Sequence, residues 1–119
     1  MAKETKLVDL SDNFYNYCDY RETLSEEDNL IVSKEIYKRI KLSVAAYAYE
    51  YGDSPIMSDD EFDKLAMEVD LSIKTGNNIM DDFFNTNFNT FTGVWVRSHP
   101  DIVGLKRIYN IKTGYKHND

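Results

Sequence analysis

Residues 45–65 read AAYAYEYGDSPIMSDDEFDKL, and the architecture of the chain can be derived from this stretch. Its centre, Gly52-Asp53-Ser54-Pro55, combines a permissive glycine, a side chain that bonds nearby backbone, and a proline that disfavours helix before it. Ser58 and Glu61 follow with the spacing of a capping box, in which each side chain accepts a backbone amide of the other residue. The stretch therefore predicts the end of one helix, a short turn and the start of a second helix.

The first helix is predicted to be long. It begins after Ser25, a typical N-cap residue, and its first turn is acidic, which favours the positive end of the helix dipole. It is predicted to stop close to Gly52. Six apolar residues recur at steps of three, four or seven and predict a single buried stripe: Leu30, Tyr37, Ile40, Val44, Tyr47 and Tyr51.

The second helix is predicted to begin after Ser58 and to pack antiparallel to the first, forming a hairpin over residues 25–75. Lys74 and Gly76 fit the negative end and the left-handed cap of this helix. Its predicted apolar face consists of Phe62, Leu65, Ala66, Val69 and Ile73.

Shorter elements are predicted after the hairpin. Asn78 can cap a third helix, Gly93-Val94-Trp95-Val96 is predicted to be extended, and His99-Pro100-Asp101 is typical of the entry to a last helix. The predicted fold is mainly α, a single small domain. Its predicted parts are a loosely ordered arm (1–24), a helical domain (25–113) with an aromatic-rich C-terminal part (76–113), and a tail (114–119).

Composition narrows the function classes. The chain has 119 residues, a formal charge of −7 and a single cysteine, Cys18. The negative charge disfavours direct binding to nucleic acid or to an anionic membrane. No stretch approaches the roughly 20 apolar residues of a membrane span, and a lone cysteine without a signal sequence predicts a cytoplasmic location.

No catalytic or metal-binding motif is found in the sequence. His99 and His117 lie far apart, and Cys18 has no companion at metal-ligand spacing, so no metal site is predicted. Nucleophile elbows and glycine-rich phosphate loops are also absent from the sequence. A non-catalytic protein is therefore predicted.

Residues 45–69, with the tyrosine-rich helix end, the Asp-Ser-Pro turn and the capped acidic helix, resemble the N-terminal helical hairpin of NAD-dependent DNA ligases. In that family the hairpin holds the nicotinamide mononucleotide (NMN) half of NAD. The resemblance implies that Tyr49 contacts the nicotinamide ring and that Asp59 and Asp63 bind the nucleotide. A cationic ring can stack on an aromatic face, and carboxylates can accept hydrogen bonds from ribose hydroxyls.

Two further positions of the implied site differ from the family. Glu50 stands where the family has a histidine, and Phe62 stands where it has a tyrosine. The Lys-x-Asp-Gly signature that carries the adenylate in ligases does not occur in this sequence. The resemblance therefore implies a binding scaffold without the adenylation step.

Two functional hypotheses follow. The first is a non-catalytic acidic interaction protein, phage-encoded, that binds a protein partner and regulates or inhibits a nucleic-acid-processing or defence enzyme; small acidic phage inhibitors are similar in size and charge. The alternative is an NMN- or NAD-binding module, or an accessory fragment of an NAD-dependent DNA ligase, with Tyr49, Glu50, Asp59, Phe62 and Asp63 at the site.

Overall fold

The computed structural model describes residues 22–114. Within these residues the chain forms α1 (Glu26–Tyr51), α2 (Asp59–Met67), α3 (Asn78–Asn87), a 3-10 helix (Val94–Ser98) and α4 (Ile102–Lys112). No strand occurs in this part of the chain, which confirms the mainly α prediction. The predicted N-terminal arm, up to residue 21, and the tail beyond residue 114 lie outside the described residues.

The predicted helix starts are confirmed by their caps. The Ser25 side chain accepts a hydrogen bond from the Asp28 amide at 3.1 Å. At the start of α2 the Ser58 hydroxyl accepts from the Glu61 amide at 3.1 Å, and the Glu61 carboxylate accepts from the Ser58 amide at 2.9 Å. The third helix begins one position earlier than predicted, with Asn77 as its N-cap.

Two hydrogen bonds show that α1 and α2 run antiparallel. Near the turn, the Tyr49 hydroxyl donates to the Met57 carbonyl at 2.9 Å. Further from the turn, Lys38 Nζ donates to the Glu68 carbonyl at 2.7 Å. Residues earlier in α1 therefore contact residues later in the second half of the hairpin, as an antiparallel arrangement requires.

The second helix is shorter than predicted. It ends at Met67, so Val69 and Ile73 lie beyond it, and Gly76 has a positive φ of 93° but does not cap α2. The reason lies in the backbone of the loop that follows. The Asp70 amide donates to Glu35, and the Asp70 and Ile73 carbonyls accept from Arg39, so α1 side chains satisfy groups that a continued helix would have paired.

The predicted stripe on α1 is wrong over the first half of the helix. Leu30, Tyr37 and Ile40 are 56%, 63% and 45% exposed, and Tyr51 is also exposed, whereas Val44 and Tyr47 are buried. The face that is buried instead repeats at steps of three and four and consists of Val32, Glu35, Arg39, Leu42 and Ala46. Hydropathy alone predicts that the opposite face of α1 is buried, because two residues of the face that is actually buried, Glu35 and Arg39, are charged.

The second half of α1 is the centre of the fold. Every residue from Leu42 to Ala48 is buried, because α2, the 3-10 helix and α4 pack around this segment. The small side chains Ala45, Ala46 and Ala48 allow close packing. A Cβ placed on Gly93 would lie 3.1 Å from the Ala46 Cβ, so the chain entering the 3-10 helix approaches α1 closely.

The segment predicted to be extended is instead this 3-10 helix, Val94–Ser98. The Val96 amide bonds the Gly93 carbonyl at 3.1 Å, and the His99 amide bonds the Val96 carbonyl at 3.0 Å. The tight turn places both Trp95 and Val96 in the core, which an alternating strand would not do. Trp95 packs on an aromatic cluster formed by Phe83, Phe84 and Phe88.

Tyr109 of α4 fixes the turn of the hairpin. Its hydroxyl oxygen accepts hydrogen bonds from the Asp53 and Ser54 amides at 2.9 and 2.8 Å. Gly52 has an ordinary φ of −97°, so a glycine is required here by the lack of space for a side chain and not by the backbone conformation. A Cβ at this position would lie 2.5 Å from the Tyr109 ring.

None of the helices within residues 22–114 has the length and apolar character that a membrane span requires.

Candidate functional site

Three residues of the predicted nucleotide site share one surface of the hairpin. Tyr49, near the end of α1, is partly exposed, and its hydroxyl is directed at the Met57 carbonyl. Burial first, and then the carboxylates of Asp59, Asp63 and Glu61, raise its pKa above the ordinary value. The capped first turn of α2 therefore sets several negative charges around one phenol.

Phe62 does not face this surface. Its ring is 5% exposed and lies edge-on to the Tyr49 ring, with the ring centroids 5.4 Å apart. Its far end reaches Gly93, where an added Cβ would lie 3.4 Å from the Phe62 ring. Phe62 thus supports Tyr49 from the core, and its ring face is not open to a ligand.

Glu50 is held in an ion pair with Arg97 of the 3-10 helix. The same carboxylate oxygen lies 2.8 Å from Arg97 Nε and 2.7 Å from Nη2. This pair offsets the negative charge of Glu50 and fixes its direction. This partner could not be predicted from the sequence, because Arg97 lies 47 positions away from Glu50 and no local spacing links the two residues.

The exposed part of the hairpin forms what we call the acidic hairpin surface, defined as Tyr49, Asp59, Asp60, Asp63 and Met67. Asp59, Asp63 and Met67 are spaced by four residues and follow one side of α2. Met67 is 72% exposed. This surface combines three carboxylates, a phenol and a thioether.

A recess of about 320 Å³ lies on the flank of the hairpin, beside the acidic hairpin surface. Its walls mix apolar and charged side chains from both halves of the hairpin: Lys41, Ile56, Met57, Glu61, Lys64, Leu65 and Glu68. Tyr49, Asp59 and Asp63 do not line it.

The structure also contains a buried charged network that was not predicted from the sequence. Glu35, 1% exposed, accepts from Arg39 Nε at 2.8 Å and from the Asp70 amide at 3.1 Å. Arg39 also reaches Asp81 at 3.1 Å, and Asp81 accepts from the Thr75 amide at 2.9 Å. The i, i+4 spacing of Glu35 and Arg39 is a readable signal for the pair, but their burial depends on groups more than 30 residues away.

His99 acts as a neutral side chain. Its Nδ1 accepts a hydrogen bond from the Asp101 amide at 2.9 Å, and its ring packs edge-on against Phe83. Burial lowers the pKa of His99 to about 4, against an opposing effect of the Asp101 carboxylate. Within residues 22–114, no group of three or more His, Cys, Asp or Glu side chains is placed to hold a metal ion.

Comparison with protein-family models, with curated proteins and with solved structures finds no match to this chain. A function for it must therefore be derived from its own side chains.

Proposed function

We propose that this chain is a non-catalytic interaction protein whose acidic hairpin surface binds a basic surface of a partner protein. The observation that carries this proposal is the set of carboxylates around the partly exposed Tyr49. None of Asp59, Asp60 and Asp63 forms an ion pair with a described residue, so their charges are available to lysine or arginine side chains of a partner.

The surface has both components of a specific protein contact. Exposed carboxylates provide complementary potential, which accelerates encounter and rejects other acidic proteins. Tyr49 and Met67 provide apolar contact area, and aromatic residues and methionine are enriched at binding surfaces. Since Tyr49 is held by Met57 and packs on Phe62, ordering this side chain on binding costs little entropy.

The partner we propose is a nucleic-acid-processing or defence enzyme, which this chain, phage-encoded, regulates or inhibits. Such enzymes hold the phosphate backbone in basic grooves. A chain with a net charge of −7 and a row of carboxylates on a rigid helix competes for a groove of that kind.

The test measures affinity for the partner recovered by pull-down from the native host. Asp59→Asn/Asp63→Asn should weaken binding about tenfold at low salt, equivalent to about 1.4 kcal/mol, and by a smaller factor at high salt because screening removes the charge attraction. The matched control, Glu27→Gln/Asp82→Asn, makes the same change in net charge at exposed positions of α1 and α3. Equal losses in the two variants, or equal losses at the two salt concentrations, would contradict docking through this surface.

The second candidate, an NMN- or NAD-binding module or ligase accessory fragment, is favoured by one observation: Tyr49, Asp59 and Asp63 lie on one surface, as the resemblance implies. The burial of Phe62 and the ion pair of Glu50 with Arg97 leave those two residues unsuited to ligand contact.

Calorimetry separates the two candidates. Saturable heat with NMN or NAD that disappears in Asp63→Ala supports the nucleotide module, and no heat at millimolar ligand removes it. The accessory fragment predicts that this chain restores NAD-dependent adenylation to a ligase core that lacks its first subdomain; failure to do so removes that form of the proposal.

A further inference from the structure

A groove of about 570 Å³ lies between α1, α3 and α4, and no residue of the acidic hairpin surface lines it. α1 packs directly on α4, whereas α3 packs on the 3-10 helix, so the three helices leave a space between them. Two apolar lining residues, Phe84 and Leu105, are buried and form the base of the groove. Its walls are four partly exposed apolar residues: Ile36, Ile40, Met80 and Ile108. This volume and this lining are typical of sites that bind small molecules.

The charged groups of the groove differ in how far they are already paired. At the base, the buried Arg39 and Asp81 form an ion pair with an N–O distance of 3.1 Å. At the rim, the Asp101 carboxylate accepts from a backbone amide in the first turn of α4, where the helix dipole favours a negative charge. Arg107 is also at the rim, is exposed, and forms no ion pair with a described residue. The charge that stays uncompensated in this groove is therefore that of Arg107.

His99 supplies a second open donor to the lining. Its Nδ1 accepts from the Asp101 amide, so the proton of the neutral ring lies on Nε2. Nε2 forms no hydrogen bond with a residue of the described range 22–114, and solvent reaches it, because the one buried unpaired side-chain atom of that range is Trp95 Nε1. This N–H is therefore available to a ligand.

The two open groups indicate the chemistry of a matching ligand. Both are hydrogen-bond donors, and Arg107 is also a cation, so the ligand has to supply acceptors and a negative charge. A carboxylate supplies both and pairs strongly with a guanidinium. The partly exposed walls require an apolar body, whose transfer from water into the groove is favourable.

We propose that this groove binds a small amphipathic carboxylic acid, with its apolar body on Ile36, Ile40 and Ile108 and its carboxylate on Arg107. Because no residue of the acidic hairpin surface lines the groove, this binding does not depend on the function proposed for that surface. Either proposal can fail while the other holds.

An NMR titration of the full-length chain with octanoate, below its micelle-forming concentration, tests the proposal. Saturable shifts are expected at the amides of Ile36, Ile40 and Ile108, and none at those of Asp60 and Asp63. Octan-1-ol has the same apolar body without the charge and should bind about tenfold more weakly. Octylamine, whose head group is a cation like Arg107, should bind more weakly still.

Matched variants separate the charge from the apolar lining. Arg107→Gln should weaken octanoate binding about tenfold and leave octan-1-ol binding unchanged. Lys106→Gln makes the same change in net charge at the adjacent exposed residue, which does not line the groove, and should leave both affinities close to wild type.

Ile40→Gln should weaken both ligands, whereas Ile31→Gln, at an exposed position of α1 outside the groove, should weaken neither. These two side chains are 45% and 51% exposed, so both variants are expected to fold.

Four outcomes would overturn the proposal. The first is an absence of saturable octanoate binding, and the second is equal affinity for octanoate and octan-1-ol. The third is a set of shifts centred on the exposed residues Leu30 and Ile31, which would mean adsorption outside the groove. The fourth is a change of the Ile36 and Ile108 signals with protein concentration in the absence of ligand, which would mean that a second copy covers the groove.

Discussion

At the level of single residues, the phenol oxygen of Tyr109 holds the hairpin turn in place, because it accepts hydrogen bonds from two backbone amides of that turn. Tyr109→Phe keeps the ring packing on Tyr47 but leaves the Asp53 and Ser54 amides without their acceptor. We expect the free energy of unfolding to fall by about 1–3 kcal/mol, measured by urea denaturation. The control is Tyr37→Phe at an exposed position, and an equal loss there would contradict this role.

His99 gives the stability a predictable dependence on pH. Its folded pKa is about 4, below the ordinary value of 6.5, so the folded state favours the neutral ring and the unfolded state binds the proton more readily. The contribution of the neutral His99 ring to the free energy of unfolding is therefore fully present above pH 6.5 and is lost as the pH falls toward 4. Since carboxylates also titrate in this range, the measurement is the difference in unfolding free energy between wild type and His99→Gln. That difference should shift against the wild type on acidification, and a pH-independent difference would refute the assignment.

At the level of helices, the starts of α1 and α2 could be predicted from the sequence, and the buried face of α1 could not. Ser25 and Ser58 act on amides three residues away, so the local pattern contains all the information that their caps need. The face of α1 depends on Glu35 and Arg39, whose partners lie in residues 70–81. A hydropathy pattern treats both as surface residues and therefore selects the wrong side.

The candidate site divides in the same way. The hairpin brings Tyr49 close to Asp59 and Asp63 because all three lie near one turn, and this proximity followed from the sequence. The pairing of Glu50 with Arg97 requires the 3-10 helix to pack against α1, which no local pattern encodes. The inward direction of Phe62 likewise depends on its contact with the chain at Gly93.

The capping box of α2 can be tested as a unit. Ser58→Ala removes the acceptor for the Glu61 amide, and we expect a loss of about 0.5–2 kcal/mol in unfolding free energy, because this first-turn amide then lacks a protein partner. Ser54→Ala is the control, since this exposed serine uses its backbone amide, and not its side chain, to bond Tyr109. Similar losses in the two variants would show that the cap contributes nothing specific.

At the level of the whole molecule, the buried network of Glu35, Arg39 and Asp81 joins α1 to the loop after α2 and to α3. Arg39 bonds Glu35 in its own helix, the Asp70 and Ile73 carbonyls in the loop after α2, and Asp81 in α3. It also lies over the Phe84 ring, 5.3 Å from its centroid. One guanidinium thus sets the position of α3 relative to the hairpin.

Removing Arg39 alone should lower the unfolding free energy more than removing both Glu35 and Arg39. Arg39→Met leaves the Asp81 carboxylate without its cation and leaves the buried Glu35 with only the more exposed Lys38. We expect a loss of about 3–5 kcal/mol in unfolding free energy, measured by urea denaturation. In Glu35→Met/Arg39→Met the buried Glu35 carboxylate is removed as well, so part of that loss should be recovered, although the Asp70 and Ile73 backbone groups lose their side-chain partners. Lys38→Met, which removes a more exposed partner of Glu35, should cost less than about 1 kcal/mol. The loss of unfolding free energy in the double variant is compared with the sum of the losses in Glu35→Met and Arg39→Met. If the two values were equal, Glu35 and Arg39 would not be energetically coupled, and the role given to this pair would be wrong.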